Sequence, residues 1–96
     1  SNDKNTQPLL VTYSKGELAI AHNGNLTNAR TLRLELEKEG AIFQSTTDTE
    51  VIVHLIARSR EEKLVKRIIY ALSRCYGAYS LVFLTPYILI AARDSK

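Results

Sequence analysis

The sequence predicts an α+β domain: two strands, a helix, a short strand, two helices and two further strands, in that order along 96 residues. Apolar residues recur at helical spacing through the middle of the chain, most clearly at Leu64, Val65, Ile68, Ile69 and Leu72. Short apolar runs bounded by turn residues stand on either side of that region. The later runs, Leu81-Val82-Phe83-Leu84 and Ile88-Leu89-Ile90-Ala91-Ala92, do not alternate with polar residues. Strands apolar on both sides belong to sheets covered on both faces. Three helices can cover one face, so a further layer is expected from outside the chain.

Leu9 to Tyr13 and Leu18 to Ala21 are expected strands of a hairpin through Ser14-Lys15-Gly16-Glu17, with Gly16 at the positive-φ position. Thr27 to Glu39 reads as a helix with Ala29, Leu32 and Leu36 inward and Gly40 ending it. Asn25 and Thr27 both suit its N-cap. Ala41 to Gln44 is short, apolar and aromatic, a third strand candidate. Thr47-Asp48-Thr49-Glu50 has the form of a capping box, with Thr47 as N-cap and Glu50 three residues on. Val51, Ile52, Leu55 and Ile56 face inward in the helix behind it. Glu61 to Arg74 is the last helix, with Glu62, Lys63, Lys66, Arg67 and Arg74 opposite its apolar stripe and Gly77 breaking it. Ala78 to Leu84 and Tyr87 to Arg93 complete the strands, with Thr85-Pro86 at the turn.

At 45% hydrophobic and 24% charged, the chain has the composition of one globular domain or a piece of one. Its net charge of +3 is spread along the chain without the interleaved aromatics of a nucleic-acid surface, so no nucleic acid is expected as partner. No apolar run approaches the length of a membrane span, and no membrane partner is expected. One cysteine, Cys75, makes neither an internal disulfide nor a metal cage, which points to a reducing, cytoplasmic setting. Ser1-Asn2 and Asp94-Ser95-Lys96 are expected to be cut edges of a longer chain.

The residues with most chemical content are His22-Asn23-Gly24-Asn25-Leu26, expected where the second strand gives way to a helix. An amide side chain beside a glycine N–H offers two neutral donors that can aim at one point, as an oxyanion hole requires. An Asn-Gly turn accounts for the same pair without chemistry. Asp48, at a helix start, could hold a ligand's ammonium group, or could simply cap. His22 and His54 lack a serine, cysteine or metal-ligand partner by spacing and read as structural. Cys75 reads as a small buried hydrophobe, and the basic face of the third helix as solvated surface. Gly16, Gly24, Gly40 and Gly77 are too widely spaced for a phosphate loop.

In sequence order, His22-Asn23-Gly24-Asn25-Leu26-Thr27-Asn28, Gly40, Phe43, Thr47-Asp48-Thr49-Glu50-Val51-Ile52, Gly77-Ala78-Tyr79-Ser80-Leu81 and Ala92-Arg93-Asp94 resemble the glutamine amidotransferase domain whose nucleophile is an N-terminal cysteine. The resemblance runs from Asn5 to Asp94. Asn5-Thr6-Gln7-Pro8 and Asn25-Leu26 look most like the amidophosphoribosyltransferase family, which opens purine synthesis. The glucosamine-6-phosphate synthase relatives have His-Pro and Ile-Ile at those places and are the alternative within the class. A non-catalytic α/β interaction module is the alternative outside it.

The resemblance implies an Ntn-hydrolase-type α/β/β/α sandwich, of which this chain is a part lacking the N-terminal catalytic strand. It implies that Asn23 and Gly24 form the oxyanion hole and that Asp48 binds the α-amino group of glutamine. In the family a cysteine, with its own α-amino group as base, forms a glutamyl thioester and releases ammonia. The ammonia passes to a phosphoribosyltransferase domain, the expected partner, which makes phosphoribosylamine from phosphoribosyl pyrophosphate. Cys75 is internal and outside the motifs, and Ser1 precedes the Gln7-Pro8 strand, so neither replaces the nucleophile. The family's Arg and Thr that hold the glutamine carboxylate lie upstream, and Ser95 stands where Pro is usual. The 96 residues alone are therefore expected to be inactive. No cofactor is expected in this chain; Mg2+ with phosphoribosyl pyrophosphate is expected in the parent, and one thiol says nothing of the iron–sulfur cluster some members carry. If Asn23, Gly24 and Asp48 share one cleft, the amidotransferase reading gains; an Asp48 pointing away into solvent would weaken it.

Overall fold

A computed structural model describes residues 7–14 and 16–95, with side chains as far as residue 93. Ser1-Asn2, Asn5-Thr6, Lys15, Lys96 and the side chains of Asp94 and Ser95, all named above, lie outside that description. The elements are β1 (Leu9–Tyr13), β2 (Gly16–Leu26), α1 (Ala29–Lys38), α2 (Asp48–Arg58), α3 (Leu64–Ser73), β3 (Gly77–Leu84) and β4 (Leu89–Ser95). The strands form one antiparallel sheet in the order β1-β2-β3-β4, and the three helices are inserted between β2 and β3.

All three helices pack on one face of that sheet. Leu18, Ile20, Leu26, Tyr79, Leu81 and Phe83 meet Leu32, Leu36, Val51, Ile52, Leu55 and Ile68 in a single core. The opposite face is bare, and β3 alternates buried with exposed along its whole length. Register sets Leu84 opposite Leu89, Val82 opposite Ala91 and Leu10 opposite Ala19 on that bare face. The two-sided apolar strands are thus covered on one side only, one α/β pair of a sandwich that needs two.

Several boundaries move from their expected places. β2 does not stop at Ala21 but continues through Asn23, Gly24 and Leu26, paired residue by residue with β3 down to Gly77. The expected strand–helix corner is therefore strand. Gly24 (φ +109) and Gly77 (φ +131) explain how the two strands stay so close there. A Cβ on Gly24 would lie 2.8 Å from Tyr79 Cα and collide with Ala78 O; one on Gly77 would lie 3.0 Å from Thr27 N and collide with Asn25 O. The glycine needed for close approach serves the neighbouring strand, not a ligand as such.

Neither Asn25 nor Thr27 caps α1. Asn28 occupies the N-cap position without a capping bond, and its amide instead bridges to the far end of α3. Its Nδ2 donates to Arg74 O at 2.8 Å and its Oδ1 accepts from Tyr76 N–H at 3.0 Å. Ala41 to Gln44 is not a strand, because the Gln44 and Ser45 N–H groups go to the Glu50 carboxylate, at 2.7 Å each, and not to a neighbouring strand. α3 is shorter than expected and buries the line Ile68, Ala71 and Cys75, leaving Val65 and Ile69 exposed. Two of the basic residues expected in solvent are engaged: Arg74 pairs with Glu35 at 2.8 Å, and Arg67 donates to Ile56 O at the end of α2. β4 begins at Leu89 and not at Tyr87, since Thr85 Oγ1 takes the Tyr87 and Ile88 N–H groups into the turn.

Candidate functional site

The site is built on the free edge of β2. In an antiparallel strand, successive N–H groups point to alternate sides, so those of His22, Gly24 and Leu26 share one edge. β1 lies on that edge but its pairing ends at Leu9 opposite Ile20. Beyond it, the His22 N–H is taken by Gln7 Oε1 at 2.5 Å and the Leu26 N–H by Asp48 Oδ2 at 3.2 Å. The Gly24 N–H falls between these two. No side chain among the described residues accepts it. Among the described residues, this donor stands between two satisfied neighbours on an edge that β1 does not reach.

Asn23 alternates to the bare face, where it lies in register with Ser80, and Ser80 with Arg93. Asn23 lines an open recess of about 370 Å³ together with Gln7, Pro8, His22 and Ser80. A cavity of similar size between β1, α2 and α3 shares no residue with this one.

Asp48 reaches the motif from the other side. It is the first residue of α2, and its approach is held by three sets of contacts. Thr47 caps the helix by accepting the Glu50 N–H at 3.4 Å. Glu50 reaches back past Thr47 to Ser45, whose Oγ donates to it at 2.6 Å, so the expected capping box closes on the preceding loop. Arg33 of α1 donates to Ser45 O at 3.0 Å and Thr47 O at 3.2 Å while lying over the Phe43 ring at 4.1 Å. Phe43 in turn packs on His54, which lies 3.5 Å from Glu50. Burial pushes the Glu50 carboxyl up, but the hydrogen bonds from Ser45, Gln44 and His54 outweigh it and hold the group below its usual range. Asp48 Oδ1 has no hydrogen-bond donor among the described residues.

His22 faces the helix side and is buried, with Nε2 lacking a partner. Burial lowers its basicity, and the Asp48 charge, which acts the other way, is the smaller effect. Cys75 is sealed in the core with Sγ on Ala71 O at 3.3 Å, as a small hydrophobe would be.

Asn23 and Gly24 are therefore neighbours on β2, and Asp48 reaches the same segment through its bond to Leu26. Asp48 does not point away into solvent: it holds the end of the very segment that carries Asn23 and Gly24. Sequence reasoning missed Gln7, Arg33 and Asn28 as parts of this assembly. Asn28 and Gln7 stood inside the motifs, but their side-chain bonds span 46 and 15 residues and leave no local pattern.

A family profile described as a glutamine amidotransferase domain matches residues 1–96. The amidophosphoribosyltransferase of Rhizobium etli is 52% identical over 91 residues, covering 95% of this chain and 18% of that protein. The chloroplastic amidophosphoribosyltransferase of Vigna aconitifolia is 50% identical over 90 residues, covering 94% of this chain and 19% of the relative. The structure of glutamine phosphoribosylpyrophosphate amidotransferase from B. subtilis, complexed with ADP and GMP, superposes with a TM-score of 0.93 at 46% identity. That match covers 97% of this chain and 21% of the B. subtilis chain. The chain thus spans about a fifth of these relatives, its α+β fold is that of the corresponding part of the B. subtilis enzyme, and it belongs to the glutamine amidotransferase domain family.

Proposed function

We propose that this chain is the oxyanion and substrate-ammonium part of a glutaminase domain that releases ammonia for phosphoribosylamine synthesis in purine biosynthesis. The observation that carries the chemistry is the row of three N–H groups on β2, two satisfied and the Gly24 donor between them left for a ligand. Amidophosphoribosyltransferases at about half identity over nearly the whole chain support the choice of acceptor reaction over glucosamine-6-phosphate synthesis.

In this reading a cysteine thiolate from outside the 96 residues attacks the carboxamide carbon of glutamine. The carbonyl oxygen becomes an oxyanion, stabilised by the Gly24 N–H and the Asn23 side-chain amide. Asp48 holds the substrate ammonium through Oδ1, its Oδ2 being engaged with Leu26. The C–N bond breaks with proton delivery to the leaving nitrogen, ammonia departs, and water later cleaves the thioester to glutamate. Cys75 takes no part, since its thiol is enclosed by the core.

The phosphoribosyltransferase domain belongs to the rest of the parent protein. The Mg2+ and phosphoribosyl pyrophosphate of that second reaction are assigned to that domain. None of the described helices is long and apolar enough to cross a membrane. A homo-oligomer in a reducing compartment, cytoplasm in a bacterium, completes the proposal.

The test is glutamine hydrolysis by the full-length protein carrying Asn23→Ala. Loss of one oxyanion donor should lower kcat by about 10² to 10³. An Asn23→Ala enzyme with wild-type kcat would refute the reading.

A further inference from the structure

We propose that Gln7 is a positioning residue of the oxyanion site: its side-chain amide oxygen holds the backbone at His22 and thereby aims the donors of Asn23 and Gly24. This rests on the glutaminase reading above. β1 and β2 pair with Leu9 opposite Ile20 and Leu10 opposite Ala19. Continued by two residues, that register sets Gln7 opposite His22. The ladder does not continue. The pairing ends at Leu9. The His22 N–H is nonetheless satisfied, by Gln7 Oε1 where a backbone carbonyl would have served in a longer strand.

The consequence is mechanical. Beyond Ile20, one edge of β2 is fastened continuously to β3. The other edge is fastened at two points, Gln7 on His22 and Asp48 on Leu26, and the Gly24 donor sits midway. Without the first fastening, four residues from His22 to Asn25 lose their restraint on the β1 side. Displacing a catalytic donor by about 1 Å can lower a rate by up to 10²-fold.

The choice of an amide also fits the chemistry. A carboxylate at residue 7 would accept the same N–H but would set a negative charge beside the recess that Gln7 shares with Asn23. That charge would oppose a developing oxyanion. A neutral acceptor avoids it.

The experiment measures glutamine hydrolysis and amide hydrogen exchange in the full-length protein, comparing wild type, Gln7→Met, Gln7→His and Asn23→Ala. Methionine keeps the length of the side chain and removes the acceptor; an imidazole nitrogen can accept again. Gln7→Met should lower kcat about tenfold, the worth of one backbone hydrogen bond, and leave KM for glutamine within about twofold. Exchange over 21–24 should quicken while the core strands stay protected. Gln7→His should recover most of both. Wild-type kcat in Gln7→Met, a KM that rises in step with the loss of kcat, or a histidine variant no better than methionine would each overturn the proposal. If Gln7→Met loses protection throughout the chain, it has unfolded, and the histidine variant with the same two readouts decides. Failure of Asn23→Ala to lose activity would instead strike the glutaminase reading, and this inference with it.

Discussion

Asp48 accepts the backbone N–H of Leu26 at 3.2 Å, fastening the start of α2 to the last residue of β2. One carboxylate oxygen thus organises the segment that carries Asn23 and Gly24, and the other takes no donor among the described residues. Asp48→Asn in the full-length protein should raise KM for glutamine by roughly 10- to 100-fold, the range of one charge-assisted hydrogen bond. The change in kcat should be smaller, because an ammonium is bound alike in the ground and transition states. A KM within experimental error of wild type would remove Asp48 from substrate binding.

Arg33 acts on the same carboxylate without touching it. Its guanidinium ties the Ser45 and Thr47 carbonyls to α1 and so sets where α2 begins. Arg33→Met keeps much of the stem over Phe43 and removes both bonds, and should destabilise the domain by about 1.5–3 kcal/mol. KM for glutamine should rise with it as Asp48 loses its fixed approach. Chemical denaturation and steady-state kinetics on one preparation check both; a stability loss with KM untouched would confine Arg33 to the fold.

Gly24→Ala tests the closeness of β2 and β3. The added Cβ meets Ala78 O and Tyr79 Cα at a φ of +109, a conformation that side chains rarely adopt. Strain of this kind is worth about 1–3 kcal/mol before the backbone collision is added, so thermal unfolding should shift down by several degrees. An alanine variant melting within a degree of wild type would show that the strands can part there.

That glycine also shows what the sequence could and could not disclose. Local periodicity placed the seven elements, because burial on one helix face or one strand face leaves a repeat that can be read from neighbours. The motif His22-Asn23-Gly24 was visible, but its backbone was expected at a strand–helix corner. Whether an Asn-Gly pair turns or runs on as strand depends on what lies alongside, here Tyr79 and Ser80, more than fifty residues later. Val65 and Ile69 failed for a similar reason: a helical stripe two residues wide does not say which of its edges meets the core. Gln7 and Arg33 act through bonds to backbone atoms elsewhere, which accept any sequence and so leave no pairing signal.

Acid should weaken the fold through His22. Burial holds its folded basicity below the ordinary value of 6.5, outweighing the Asp48 charge. The unfolded chain therefore takes up a proton near 6.5 that the folded chain refuses, and stability falls as pH drops through that value until the folded imidazole also protonates. The slope for one proton is at most about 1.4 kcal/mol per pH unit. Glu50 works in a lower window: its carboxyl is held ionised in the fold, so its contribution is intact above 4.5 and lost as pH falls further. Urea midpoints at pH 7.5 and 5.5 should thus differ in wild type and differ less in His22→Gln. Equal acid sensitivity in both would assign the effect elsewhere.

The bare face of the sheet makes a prediction about the 96-residue polypeptide itself. Its apolar end carries Leu10, Leu84 and Leu89, exposed by 72%, 50% and 68%, while Asn23, Ser80 and Arg93 occupy the other end. A patch of this kind removed from its covering layer tends to pair with whatever apolar surface is available. The isolated polypeptide should therefore associate through that face, as a dimer at micromolar concentration in sedimentation velocity. Leu84→Lys combined with Leu89→Glu sets a charged pair across the β3–β4 register and should return the monomer without unfolding it, since neither side chain belongs to the core. A wild-type polypeptide that stays monomeric to high concentration would show that the face tolerates water. A dimer that survives both substitutions would locate the contact elsewhere, with the exposed Val65 and Ile69 of α3 the next surface to change.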